Sequence, residues 1–323
     1  MKYAVLILAL ASLVVSAHAR TWTSKDGNKI EADFISATPT HVTILRASDN
    51  RKFTIELTKV SKGDVDWIKA NSKTPAPAAR PLGAAAIEVP EGFPDDVSEM
   101  LSARGTLLFE DDFERTDSAS SDDLGPDWKT NSESRAGGAK QNDLEAGTLV
   151  MTLSDKADHA ISTRHTLSGP FKDGVVSVKV LLEEDEQLKL AYNDREEPSV
   201  WAGHVNGVTI ALDKVTIEDE REGRFKLALR DNQETEEGKE AMEEALKKTS
   251  SLKSISLKPG KWIDVVTVHN GESLTVYLNG YKIHKFSSPG IGHETKRDFV
   301  FAVPKRATVD ELKIWKLEPT PAE

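Results

Sequence analysis

The chain contains no cysteine, which excludes thiol catalysis, zinc–thiolate sites and iron–sulfur clusters and leaves no disulfides. A concentrated basic stretch is missing too, although capture of a polyphosphate backbone needs one. The 323 residues carry 42 Lys and Arg against 53 Asp and Glu, a formal charge of −11. Nucleic acid is therefore not an expected partner, and the negative balance serves solubility. Local catalytic signatures are also absent: there is no His-Glu-x-x-His, Gly-x-Ser-x-Gly, phosphate loop or Gly-x-Gly-x-x-Gly.

What is present begins with an export signal over residues 1–19. Lys2 gives a positive start, Ala4 to Val15 form an apolar run, and Ala17-His18-Ala19 has the small-x-small pattern of a cleavage site. The run is shorter than the ~20 residues of a bilayer span. Cleavage after Ala19 removes Lys2, the only charged residue of the segment, taking the formal charge to −12 and leaving no membrane span. Retained, the segment would be an amino-terminal anchor. Either way the rest of the chain is expected in an extracytoplasmic location, periplasmic or secreted.

Residues 20–70 read as a small β module. Ile30, Ala32 and Phe34 alternate with polar residues, as do Val42 and Ile44, then Phe53, Ile55 and Leu57, so each strand buries one face. Ser61 and Asp64 form a capping box before a short helix with Val65, Trp67 and Ile68. The pattern Arg20-x-Trp22-Thr23, Gly27, Lys29-x-Glu31-Ala32-x-Phe34 and Lys59-x-Ser61-x-x-Asp64 resembles the SLA1 homology domain 1 family, an SH3-like fold. The resemblance implies a peptide-binding barrel, with Lys29 near the peptide's acidic group and Trp22 near its groove. Core packing is the competing role for Trp22.

Residues 71–105 form a Pro/Ala-rich tract, expected to be an extended tether, with Pro90 to Leu101 as a short docking segment. From 106 to 317 short β-branched runs alternate with turn signals, ahead of a tail at 318–323. Leu274–Leu278 and Tyr281–Phe286 flank Asn279-Gly280, a type I′ hairpin signature. Lys239 to Lys248 carries Ala241, Met242, Ala245 and Leu246 at helical spacing. The expected fold class is all-β, a small SH3-like barrel followed by a large antiparallel sandwich with one short helical insert.

Leu108-Phe109-Glu110-Asp111-Asp112-Phe113, Asp127-Trp128, Gly147-Thr148-Leu149, Leu278-Asn279-Gly280 and Val309-Asp310-Glu311-Leu312-Lys313-Ile314-Trp315 together resemble concanavalin A-like lectin/glucanase jelly rolls. Within them the chain is most similar to laminin G-like modules and the domain of unknown function 1080 group. That resemblance implies carbohydrate binding, or glycoside chemistry as in members acting on 3-keto-glycosides.

A retaining glucanase needs two carboxyls about 5–5.5 Å apart on one strand face. Glu183-Glu184-Asp185 is followed by Gln187 and Leu188, and Glu218-Asp219-Glu220 is likewise incomplete; Glu183, Asp185 and Glu220 remain the nominal catalytic candidates. His159 and His165, six apart, are expected to be surface or hydrogen-bonded residues. Trp201, after Pro198 and near His204 and Asn206, is the candidate sugar platform, with Tyr192 and Asn193 behind it; Trp128, Trp262 and Trp315 read as core. Glu110, Asp112 and Asp310 could meet if the sandwich termini pair, and hard oxygen ligands suit a structural calcium.

With two binding-type folds and no complete catalytic set, the sequence predicts an exported non-catalytic protein. Its partner would be a glycan or protein surface outside the cytoplasm, with the small barrel making a second, peptide or protein contact. The alternatives are a glycoside-active hydrolase of the domain of unknown function 1080 type and a structural envelope-associated protein.

Overall fold

A computed structural model describes residues 20–37, 41–46, 52–71 and 93–319; the export segment of residues 1–19 and most of the Pro/Ala tract lie outside the described residues. The chain divides into two compact units, one ending at Pro81 and the other starting at Leu82.

The small unit has strands β1 (Arg20–Thr23), β2 (Lys29–Ala37), β3 (His41–Arg46) and β4 (Lys52–Glu56), then helix α1 (Lys62–Asn71). The strands pair antiparallel in sequence order. The end of β1 meets the chain again after β4: Lys25 N–H donates to Lys59 O and Ser61 N–H to Thr23 O, each at 2.8 Å. The sheet thus curls back on its first strand around Trp22, Ala32, Val42 and Ile44. Asp64 accepts from the Arg20 guanidinium, the Thr23 N–H and the Ser61 hydroxyl, while Ser61 caps the helix by accepting from the Asp64 N–H at 3.2 Å. Here the capping box also locks the amino-terminal strand to α1.

The large unit opens with helix α2 (Asp95–Arg104). Val97 and Leu101 are buried against Val175, Val266, Trp315 and Leu317, and the Tyr277 hydroxyl donates to Asp96 at 2.6 Å. The tether expected through residue 105 therefore ends before Phe93, whose ring meets Trp315 edge-on. Pro94 at the helix start and the apolar pair four residues apart are the local cause.

The remaining elements are β5 (Gly105–Asp111), β6 (Trp128–Thr130), α3 (Ser132–Arg135), β7 (Asn142–Glu145), β8 (Thr148–Thr152), β9 (Ile161–Phe171), β10 (Gly174–Leu182), β11 (Gln187–Asn193), β12 (His204–Ala211), β13 (Lys214–Asp219), α4 (Leu227–Arg230), α5 (Glu236–Thr249), β14 (Ser250–Ser254), β15 (Lys261–Asn270), β16 (Ser273–Leu278), β17 (Tyr281–Ser287), β18 (Lys296–Val303) and β19 (Arg306–Leu317). They build two antiparallel sheets. One runs β17-β16-β15-β10-β19-β8-β7 with β5 also on β19, and the other runs β14-β13-β12-β11-β18-β9-β6. This is the expected all-β antiparallel sandwich.

The inner faces interdigitate around Leu149, Met151, Phe171, Val178, Leu190 and Phe299, and each such side chain contributes roughly 1.5–3 kcal/mol by leaving water. Asn279 and Gly280 take the positive φ values, 50° and 80°, that the β16–β17 turn requires. Helix α5 is longer than the sequence suggested because Thr235 caps it, its hydroxyl accepting from the Gly238 N–H at 3.0 Å. Trp128 and Trp315 are core, whereas Trp262 is 42% exposed, on the outer side of β15. His165 is buried and stacks on Phe109 at 3.6 Å, and this burial pushes its protonation down. Among the described residues no helix is long and apolar enough to cross a membrane.

Candidate functional site

The outer face of the seven-stranded sheet presents a row drawn from five strands. Arg164 of β9 faces Val300 of β18, which faces Ala191 of β11, then Gly207 of β12 and Glu218 of β13. The middle three side chains are small, so the row has a low floor between polar ends. A Cβ at position 207 would lie 2.6 Å from Lys189 Cε; glycine lets the Lys189 stem cross β12 toward Glu218 and Glu220.

Lys189 Nζ donates to Glu218 Oε2 at 2.8 Å and Glu220 Oε1 at 2.7 Å. Glu220 is 1% exposed. Burial would raise its pKa, but the Lys189 charge, with His204 beside it, outweighs burial and holds the carboxyl down at about 2. Lys189 is itself penalised by burial, and the two glutamates overcome this and raise its pKa. His204 Nδ1 lies 3.7 Å from Glu220 Oε2, beyond hydrogen-bonding range, so the contact is electrostatic. Both atoms are buried without a hydrogen-bond partner, as is Asn193 Oδ1 next to His204 across the ladder. Three buried polar atoms without hydrogen-bond partners thus lie close together at this end of the sheet.

The His204 ring stacks on Phe225 at 4.0 Å. The Arg230 guanidinium of α4 lies 5.6 Å from the Phe225 ring and 5.0 Å from that of Trp201, which is 54% exposed. Trp201 N–H donates to Phe225 O, and Leu227 N–H to Ser199 O. The segment ahead of α4 is thus stitched to the loop carrying Trp201, and together they wall the His204 end of the row.

The same loop is fastened at its base by Asp194. This buried carboxylate accepts from His293 Nε2 at 2.9 Å, Arg297 Nε at 3.0 Å, the Thr295 hydroxyl and the Glu196 N–H. Burial opposes its ionisation, but these hydrogen bonds and the Arg297 charge hold the carboxyl below its usual range. Gly203 is obligatory beside it, because φ is +79° and a Cβ would sit 2.6 Å from Asp194 O.

Of the sequence candidates, Trp201, His204 and Glu220 come together and Asn193 joins them. Three corrections follow for the others. Tyr192 is fully buried with its hydroxyl on Thr267, because it points inward where Asn193 points out. Asn206 is also internal, hydrogen-bonded to His269 Nε2 at 2.9 Å; a register shift between Tyr192 and Asn193 breaks the alternation that would have put His204 and Asn206 on one face. Glu183 and Asp185 occupy the β10–β11 turn, beside the Gln187–Ala211 end of the ladder, whereas Glu220 follows Asp219, opposite Asn206. Five strand residues, roughly 17 Å, separate the two ends.

β5 does pair with β19, yet Glu110 turns to Lys313 at 3.5 Å and Asp112 to the Glu114 N–H. Neither joins Asp310, which burial pushes up to about 6 with the Glu311 and Glu114 charges adding to the rise. Among the described residues no group of three or more His, Asp or Glu is placed to hold a metal ion, and the three residues named for calcium do not fit it. In the small unit, Trp22 is 2% exposed with its indole N–H on Ala32 O. Its ring is core and only backs a cavity of about 120 Å³ lined also by Lys29, Ile30 and Ile55.

Lys189, Glu218, Phe225 and Arg230 were missed as site residues. The one usable signal was alternation in Gln187-Leu188-Lys189-Leu190, which turns Lys189 outward.

No protein-family model and no curated protein matches the chain. Solved structures similar to it include a non-specific endo-β-1,3(4)-glucanase of family GH16, at 9% identity over 67% of this chain and 92% of that one, TM-score 0.44. The laminarinase from Rhodothermus marinus is 10% identical over 67% of this chain and 98% of its own, TM-score 0.45. The laminarinase from Flavobacterium sp. UMI-01 is 9% identical over 65% and 100%, TM-score 0.45. The likeness is one of fold alone. With glycan-cleaving enzymes as its structural neighbours, the expectation of a non-catalytic binding protein is corrected and withdrawn.

Proposed function

We propose that the large unit is a glycoside-active enzyme that cleaves a glycosidic bond on the outer face of its seven-stranded sheet. The observation that carries this reading is Glu220, a buried carboxylate held ionised by Lys189 whose second oxygen has no hydrogen bond and faces His204. A fixed carboxylate of this kind stabilises positive charge developing at an anomeric carbon. Glu218 and Glu220 share the Lys189 ammonium. With Lys189 between them, proton transfer to the leaving oxygen falls to the His204 imidazole, which faces Glu220. Trp201 offers an apolar face to a sugar ring.

The finer resemblances belong to this proposal. A domain of unknown function 1080-type sandwich is supported by the jelly roll with these polar groups on one face. An SLA1 homology domain 1-type small unit is supported by the Arg20–Asp64 pair and the strand that curls back to β1. Export by the Lys2 to Ala19 segment would put the substrate outside the cytoplasm.

The test is a turnover screen of the full chain on β-glucans, charged glycans and 3-keto-glucosides. Glu220→Gln and His204→Asn are each expected to lower turnover about 10²- to 10⁴-fold, with Glu183→Gln unchanged. No turnover on any substrate, or turnover that survives both changes, overturns the reading.

A further inference from the structure

At the end of the row opposite Glu218 stands an arginine, two of whose guanidinium nitrogens have no hydrogen-bond partner among the described residues. Arg164 projects from the outer face of β9, and its Nε and Nη1 are screened from solvent without a hydrogen-bond partner. Leaving buried guanidinium donors unmet costs free energy that a folded protein ordinarily recovers by pairing. The carboxylate nearest in register is Asp298, and it is already engaged: the Thr166 hydroxyl donates to Oδ1 at 2.6 Å, and Arg195 lies 3.4 Å from Oδ2. On the other side, across the β6–β9 ladder, Arg164 faces Lys129, which is exposed and has no ion pair among the described residues. Two cations therefore stand side by side on the outer sheet face of a chain whose overall charge is negative. Four strand spacings, roughly 19 Å, separate Arg164 from Glu218, with Val300, Ala191 and Gly207 between them and the Lys189 stem lying over Gly207.

We infer that Arg164 is a specificity residue that seats the acidic group of a negatively charged glycan, the chain of which runs along the row to the Glu220 end. This rests on the proposed glycoside chemistry for what happens at that far end. The guanidinium fork matches a planar carboxylate or a sulfate through paired charge-assisted hydrogen bonds, so the acidic group is a uronate carboxyl or a sulfate ester. The separation of the two ends calls for an oligosaccharide, because one sugar ring cannot touch both. Recognition and cleavage are then carried by different rings of one substrate.

The experiment is calorimetric titration of the full chain with three oligosaccharide sets of matched length: uronate-containing, sulfated and neutral. One acidic set is expected to bind more tightly than the neutral set. In Arg164→Gln its affinity falls about tenfold or more, Arg164→Lys recovers part of the loss, and neutral binding is unchanged. Thermal melting of Arg164→Gln is expected to be unchanged or higher, since unmet donors are removed; this separates lost recognition from a lost fold. Equal binding of acidic and neutral sets, or acidic binding indifferent to Arg164→Gln, overturns the inference. The two proposals fail separately. Arg164-dependent binding without turnover sinks the enzyme reading alone, and turnover of neutral glycans with no response to Arg164 sinks this one alone.

Discussion

Two buried carboxylates flank the Trp201 loop, and they are finished differently. Asp194 has both oxygens occupied, by Arg297 and the Glu196 N–H on one and by His293 and Thr295 on the other. Glu220 has one oxygen on Lys189 and one with no hydrogen bond at all. Similar burial thus serves opposite ends. A saturated carboxylate is a fastener, since any change to it only removes bonds; a half-saturated one stores interaction capacity that a substrate can use.

Breaking the fastener should give the largest stability effect. Asp194→Ala removes the acceptor shared by His293, Thr295 and Arg297, although Arg297 keeps its pair with Glu196, and is expected to cost about 1–3 kcal/mol, read as a lower midpoint in denaturant unfolding. The acid titration comes next. Glu220 is depressed to about 2 from an ordinary 4.5, so its stabilisation is complete above pH 4.5 and lost as pH falls toward 2. Acid unfolding of the wild type should show that loss, and Glu220→Gln should flatten it.

Lys296 acts in the same direction over a higher pH range. Burial lowers this lysine from 10.5 to about 7, so the unfolded chain binds the extra proton between those values and stability rises with pH across that window. Lys296→Met should abolish the rise in melting temperature between pH 7 and 10. The smallest effect on stability is expected from Trp201→Ala. Its ring is half exposed, so the change should stay within about 0.5 kcal/mol while weakening glycan binding, and unfolding measured beside KM checks both. A Trp201 variant that destabilised as much as Asp194→Ala would erase the distinction between platform and fastener.

Much of the sandwich was legible because its signals are local. The Asn279-Gly280 turn, the alternation in β16 and β17 and the amphipathic spacing in α5 each lie within a few residues, and each formed. The pairing of β5 with β19 followed from the jelly-roll resemblance alone. The site was less legible, since its row takes residues 164, 300, 191, 207 and 218 from five strands whose spatial order differs from their order in the chain. Glu218-Asp219-Glu220 read as a charged strand end, and only the lysine crossing Gly207 turns it into a site. Alternation also failed at one bulge, enough to send Asn206 inward while His204 stayed out.

The stitching of the Trp201 loop to Phe225 and Asp194 has a kinetic consequence. A loop ordered before its ligand arrives spends no conformational entropy on capture, so encounter should need no slow closing step. Dissociation would then set the residence time, and the lifetime of the complex would report contact quality directly.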